Sequence, residues 1–216
     1  MNDREGIIKY QLQHSHCDLP TDIDISEINA WRGILFRLRL IGQSTEKYHG
    51  LAYGNISRRL SPNSRQFLIS GTQTSHLDFL HPEHFAIVDS AVPSDNALTS
   101  HGPCKPSSEA LTHAGVYLNA PGVQAVIHVH SPEIWRNTHI LQLPLTGPDI
   151  PYGTRQMAEA VRQLFSSEAT KTKAVFSMLG HEDGVVSFGT SLTAAANALL
   201  KQLANALAIE QSLKAS

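Results

Sequence analysis

Cysteine is scarce in this chain: Cys17 and Cys104 are the only two among 216 residues. They lie far apart and outside any C-x-x-C pattern, which argues against a disulfide framework and a cysteine-based zinc site. Charge of one sign is lacking as well. The net charge is -2 and no Lys/Arg block forms a basic stripe, so there is no electrostatic case for nucleic acid. No apolar run approaches the roughly 20 residues of a membrane span, and Met1-Asn2-Asp3-Arg4-Glu5 leads into no signal-like core. A soluble cytoplasmic protein is expected. Internal repeats and low-complexity tracts are missing too. With 41% hydrophobic residues the chain can bury one sizeable core, and a single α/β domain is the economical reading.

Helix and strand patterns alternate along the chain. Residues 1–25 read as a polar, irregular leader or arm, and residues 26–216 as the domain. Ser26 is placed to cap a helix reaching Ile41, with Gly42 just beyond its end. Ile56 and Leu60 flank a strand, and Phe67-Leu68-Ile69 forms another. Residues 72–106 read as loop-rich, with one strand at Phe85-Ala86-Ile87-Val88. A helix is expected from Ser107 or Ser108 to about Asn119, then a strand over Val123 to His130. Pro132 starts a short helix, 141–152 is a connection, and a helix covers about Thr154 to Ser167. Ala174 to Leu179 and Val185 to Phe188 read as antiparallel partners, and a long Ala/Leu helix beginning at Ser191 or Thr193 closes the chain.

His128-Val129-His130 is the stretch with the most chemical content. Residues two apart on a strand share a face, so both imidazoles leave the sheet side by side. Two neutral imidazoles on one rigid element are half the coordination shell of a zinc-like ion, or else a hydrogen-bonded structural pair. His181 ends a second apolar strand and would bring a third nitrogen. Pro106-Ser107-Ser108-Glu109 precedes an apolar helix, which places Glu109 in its first turn. That is an ordinary capping arrangement and also a ready anion site.

In order and spacing, Gly54-Asn55-Ile56-Ser57, Ile69-Ser70-Gly71, Ser107-Ser108-Glu109 with His113, and His128-Val129-His130-Ser131-Pro132 resemble the class II aldolase/adducin family. Pro151-Tyr152-Gly153-Thr154 and the turn near His181 continue the likeness, which covers roughly residues 26–210. The resemblance implies an α/β/α sandwich around a mixed or antiparallel sheet, assembled as a homotetramer. It implies a divalent metal, usually zinc, with manganese or cobalt as alternatives, held by His128, His130 and His181. Glu109 would be the catalytic acid/base. Gly54, Asn55, Ser70, Gly71, Ser107 and Ser108 would cradle a phosphate, consistent with small residues and hydroxyl donors around an anion.

The activity implied is retro-aldol cleavage of a ketose phosphate, or a related hydroxy-carbonyl compound, through a metal-stabilised enediolate. Dehydration, epimerisation or decarboxylation on the same scaffold is the alternative, and a non-catalytic adducin-like interaction domain is a third. Two departures from the family pattern stand out. The segment Gly180-His181-Glu182-Asp183-Gly184 leaves two residues between the histidine and the glycine, so Asp183 competes with His181 as third ligand. No tyrosine follows Tyr152, whereas aldolases of the family often draw a proton-donating tyrosine from the C-terminal region or a neighbouring subunit. Tyr152 itself is expected to pack. His113, four residues after Glu109, is placed to orient it; Trp135, Arg136 and His139 line either the substrate tail or a subunit contact.

Overall fold

Every second residue of the strand Ala125–His130 faces the same way, and its two sides meet different cores. Ala125, Ile127 and Val129 enter one buried apolar cluster; Val126 enters another, on the side that also carries His128 and His130. The coordinates are those of a computed structural model that describes residues 7–62, 64–167, 170 and 173–215. Met1–Glu5, where no signal-like core is expected, fall outside the described residues.

Eleven strands occur among the described residues: β1 (Gln11–His16), β2 (Gly42–Gln43), β3 (Ala52–Tyr53), β4 (Asn55–Arg59), β5 (Phe67–Ser70), β6 (Phe85–Val92), β7 (Ala97–Gly102), β8 (Ala125–His130), β9 (Leu145–Thr146), β10 (Val175–Met178) and β11 (Gly184–Gly189). Nine of them form one mixed sheet in the order β1-β7-β6-β5-β4-β8-β11-β10-β9, and β2 and β3 pair separately. The outermost pairs, β1 with β7 and β9 with β10, are parallel; the pairs between them are antiparallel. The helices are α1 (Ser26–Arg37), α2 (Ala110–Asn119), α3 (Pro132–Arg136), α4 (Arg155–Phe165) and α5 (Leu192–Ala215).

Two helical layers cover the sheet. Ile28 and Leu35 of α1, Ile134 of α3, and Leu192, Ala195 and Leu199 of α5 pack with Ile56, Ile127, Val129 and Val185. Leu111 and Val116 of α2 and Met157 and Val161 of α4 pack with Phe67, Ile69, Val126, Phe176 and Val186 on the opposite face. This is the α/β sandwich expected from the alternating pattern. Burying each large aliphatic side chain stabilises the fold by about 1.5–3 kcal/mol. Local signals set several helix starts: Thr154 Oγ1 accepts from Met157 N at 3.2 Å, and Ser191 Oγ accepts from Ala194 N at 3.0 Å.

Five expectations are corrected. Gln11–His16 is not irregular: β1 pairs with β7 in parallel, from Gln11 opposite Ala97 to His16 opposite Gly102. Its weak alternation lacks the bulky apolar residues that mark a strand before its partner is known. The stretch 72–106 holds β7 as well as a longer β6, and the 141–152 connection holds β9. Helix α1 ends at Arg37 rather than Ile41, because Arg39 turns left-handed (φ 59°) and Leu40 N returns to Leu35 O. Helix α2 starts at Ala110, so Glu109 is its N-cap residue rather than a first-turn residue.

Candidate active site

Three elements bring the site together. β8 supplies His128 and His130 on one face; β4, antiparallel to it, sets Asn55 opposite His128; β11 sets Gly184 opposite His130. His181 lies in the tight turn from β10 to β11, closed by His181 N to Met178 O (3.0 Å) and Gly184 N to His181 O (2.9 Å). Gly184 must be small here, because a Cβ would lie 2.5 Å from His181 Cδ2. Gly54 is similarly constrained: its φ is +79° and a Cβ would lie 2.7 Å from Ile41 Cγ1 and 3.2 Å from the His128 carbonyl oxygen.

The nitrogens of His128, His130 and His181 that could ligate a metal lie within 4.8 Å of one another. The Nε2 atoms of His130 and His181 are 3.0 Å apart. All three side chains are buried, none more than 4% exposed. Burial first, then the neighbouring His181, holds the His128 and His130 imidazoles well below the usual histidine range. Neutral imidazole is the form a metal ion requires.

The donor set fits a divalent cation such as zinc. Buried His128 Nε2 has no hydrogen-bond partner among the described residues, and neither has Asn55 Oδ1. Asn55 Nδ2 lies 3.2 Å from His128 Nδ1. Exchanging the oxygen and nitrogen of that amide makes Oδ1 accept from His128 Nδ1–H, which leaves the Nε2 lone pair for a cation.

Glu109 completes the group. It is buried, and its Oε1 lies 3.9 Å from His181 Nε2. Its backbone is tied into place by Glu109 N donating to Ser107 Oγ (3.2 Å) and by His113 N donating to Glu109 O (3.1 Å). His113 does not reach Glu109 with its ring in the manner expected from their spacing. Its Nδ1 instead lies 2.7 Å from Ser57 Oγ, which also meets the Tyr117 hydroxyl at 2.8 Å, and burial lowers its pKa to about 3.

The motifs read as a phosphate cradle converge. Gly71 bridges to Pro106, Ser107 N donates to Ser70 O at 3.2 Å, and Ile56 N donates to Ser70 Oγ at 3.2 Å. Ser70, Ser107 and Ser108 are all buried, and the last two immediately precede Glu109 in the chain. Asn55 belongs to the same corner, but its amide is turned to His128. Among the two candidates in the 181–184 turn, His181 joins the histidine pair. Asp183 turns away (φ 61°), and its Oδ2 accepts a 2.6 Å hydrogen bond from the Tyr48 hydroxyl.

Tyrosines surround the cluster, and sequence reasoning missed most of them. Tyr48 packs edge-on against His130 at 4.4 Å, and Tyr53 lies 5.2 Å from the same ring. Tyr152 packs edge-on against His181 at 4.7 Å, in line with the packing expected of it, and Lys9 Nζ sits 3.7 Å from its ring centroid. Tyr10, just before β1, donates from its hydroxyl to Ser107 O at 2.8 Å. Burial, and then Glu109, pushes the Tyr10 hydroxyl pKa up. Tyr10 has no local sequence signal, because its place is set by the long-range pairing of β1. Tyr48 precedes Gly50 in a stretch where Tyr48, His49 and Gly50 all have positive φ (51°, 58° and 75°), and only the glycine is visible as a turn marker.

The other histidines do not join the cluster. His84 Nδ1 accepts from His81 N at 3.0 Å, and His76 Nδ1 lies 2.9 Å from Gln73 O. His14 meets Ser100 Oγ and Gly102 O across the β1–β7 pair. Trp135 Nε1 donates to Met178 O at 3.0 Å, so its polar end is used within the fold.

Comparisons with known proteins bear on the family and the fold. A methylthioribulose-1-phosphate dehydratase of Methylococcus capsulatus is 38% identical over 79 residues, 37% of this chain and 34% of that protein. A probable L-ribulose-5-phosphate 4-epimerase of Mycoplasma pneumoniae is 34% identical over 79 residues, 37% of this chain and 30% of that protein. The matches thus span about a third of the length of these relatives. A sugar-phosphate aldolase from Thermotoga maritima shares the fold at a TM-score of 0.66 and 16% identity, covering 89% of this chain and 95% of that one. The family described as Class II Aldolase and Adducin N-terminal domain matches residues 43–209, and the chain belongs to it.

Proposed function

We propose that the protein is a divalent-metal-dependent enzyme acting on a ketose phosphate or a related hydroxy-carbonyl compound, with retro-aldol cleavage as its reaction. The observation that carries this reading is the buried meeting of His128, His130 and His181 with the Glu109 carboxyl 3.9 Å from His181 Nε2. His128, His130 and His181 would hold the cation, zinc or alternatively manganese or cobalt. Bound there, the cation supplies Lewis acidity toward adjacent carbonyl and hydroxyl oxygens of the substrate. Glu109 would carry a proton to and from the carbon beside the carbonyl, a task for which a buried carboxyl is suited. Asn55 holds the His128 ring in orientation through Nδ1. Gly71, Ser70, Ser107 and Ser108 would bind the phosphate, which fixes the reacting carbons relative to Glu109.

Dehydration or epimerisation of a sugar phosphate is the second reading. It draws support from the names of the two relatives. A non-catalytic role gives no reason for a carboxyl to be buried beside three clustered imidazoles. A cytoplasmic location and a homotetramer belong to the same proposal; among the described residues no helix is long and apolar enough to cross a membrane. Metal-loaded protein incubated with phosphorylated ketoses, with and without chelator, tests the reading by mass spectrometry of the products. Two carbonyl fragments support cleavage, loss of water supports dehydration, and an unchanged mass with altered sugar retention supports epimerisation. No chelator-sensitive product from any phosphorylated sugar would overturn it.

A further inference from the structure

A cavity of about 590 Å³ opens beside His181. Its walls come from the 45–49 segment (Thr45, Glu46, Lys47 and His49), from Arg136 of α3, and from Glu182 in the β10–β11 turn, with Tyr48, Tyr152 and Asp183 completing them. No aliphatic side chain lines it among the described residues. The serine cradle does not contribute to this cavity, whereas His181 lines it and also belongs to the histidine cluster.

One hydrogen bond joins two of the walls. Tyr48 donates to Asp183 Oδ2 at 2.6 Å, linking the 45–49 segment to the turn that carries His181. Both residues are left-handed, with φ of 51° and 61°, conformations that cost energy in a residue other than glycine. Surrounding contacts hold them there: the Tyr48 ring packs against both His130 and Tyr53, and the Asp183 carbonyl accepts from Ser131 N at 2.8 Å.

We infer that this cavity receives the far end of the substrate and selects a hydroxylated tail over an alkylthio one. Tyr48, held by Asp183, is the positioning residue that shapes it. This rests on the ketose-phosphate reading given above. Hydroxyl groups entering the cavity exchange hydrogen bonds to water for hydrogen bonds to the carboxylate, ammonium and guanidinium ends in its walls. A methylthio group strips water from those same ends and offers in return at most a weakly accepting sulfur, the situation in which a site built to hydrogen-bond a hydroxyl rejects the analogue that lacks it. Of the two relatives, one is named for a methylthio sugar phosphate and the other for a fully hydroxylated one, and this cavity favours the second kind.

Titration calorimetry of zinc-loaded Glu109→Gln protein, used to keep ligands intact, tests the inference. The ligands are two ketose 1-phosphates identical except for hydroxyl or methylthio at the terminal carbon. The hydroxyl ligand is expected to bind about tenfold or more tightly. Tyr48→Phe, which keeps the ring against His130 but releases the 45–49 segment from Asp183, is expected to lower that ratio without loss of zinc. Asp183→Asn, which keeps an oxygen able to accept from Tyr48 and tolerates the left-handed backbone, is expected to preserve the ratio. Equal or tighter binding of the methylthio ligand overturns the selectivity and leaves the ketose-phosphate reading standing. An unchanged ratio in Tyr48→Phe overturns the role of Tyr48. Binding of neither ligand to protein with full zinc content overturns the ketose-phosphate reading, and the inference with it.

Discussion

His130 and His181 bring their Nε2 atoms to 3.0 Å although one ends β8 and the other lies in a turn 51 residues later. Two imidazole nitrogens that close need either a shared proton or a shared cation. With His128 they make a three-nitrogen set suited to a shared cation. Replacing both His128 and His130 by alanine is expected to remove bound metal, read by elemental analysis of purified protein. Metal retained at one ion per chain would falsify the proposed centre.

Asn55 reaches the centre through His128 Nδ1. Partners of this kind fix ring orientation and are worth about 10–100-fold in metal affinity. Asn55→Ala is expected to weaken zinc binding by about that factor in a competition titration with a chelator. An unchanged affinity would show that the amide contributes nothing to the orientation of His128.

Gly54 leads into the strand that carries Asn55, with φ of +79° and Ile41 packed against its Cα. Gly54→Ala is expected to destabilise the protein by about 1–3 kcal/mol, from left-handed strain and overpacking together. The measurement is the urea midpoint of unfolding. A midpoint equal to that of the parent protein would contradict the close approach of Ile41.

His113 titrates near 3 in the fold because it is fully buried, against an ordinary value of 6.5. The unfolded chain therefore binds a proton that the folded one refuses between those values. The contribution of this residue to stability is full above pH 6.5 and falls steadily as the pH drops toward 3. Urea midpoints across that range should decline on acidification, and His113→Asn should flatten the decline. An identical slope in the variant would rule out His113 as one of its sources.

Much of this site is legible in local pattern. The apolar run from Val123, closed by His128-Val129-His130, announces a buried strand with paired imidazoles, and the strand forms over Ala125–His130. Glu109 sits beside a helix start, although as its cap rather than within its first turn. His181 is recognisable because it ends an apolar strand, and the chain does bring it to the pair. What the sequence hides depends on partners distant in the chain. Gln11–His16 has no strong strand signature and becomes β1 only because β7 is there to pair with it, which carries Tyr10 to Ser107. Tyr48 reads as an ordinary loop tyrosine until the left-handed turn at 48–50 aims it at His130 and Asp183. The end of α1 at Arg37 is equally silent, since arginine carries no stop signal and the left-handed turn at Arg39 is stabilised by Leu40 N returning to Leu35 O.

The most direct measurement is turnover of a phosphorylated ketose by zinc-loaded Glu109→Gln protein beside the parent, at equal and verified metal content. The substitution keeps the shape of the side chain and removes its capacity to exchange a proton. The account predicts full metal occupancy with turnover reduced by about 10²–10⁴-fold. Undiminished turnover at full occupancy would contradict it.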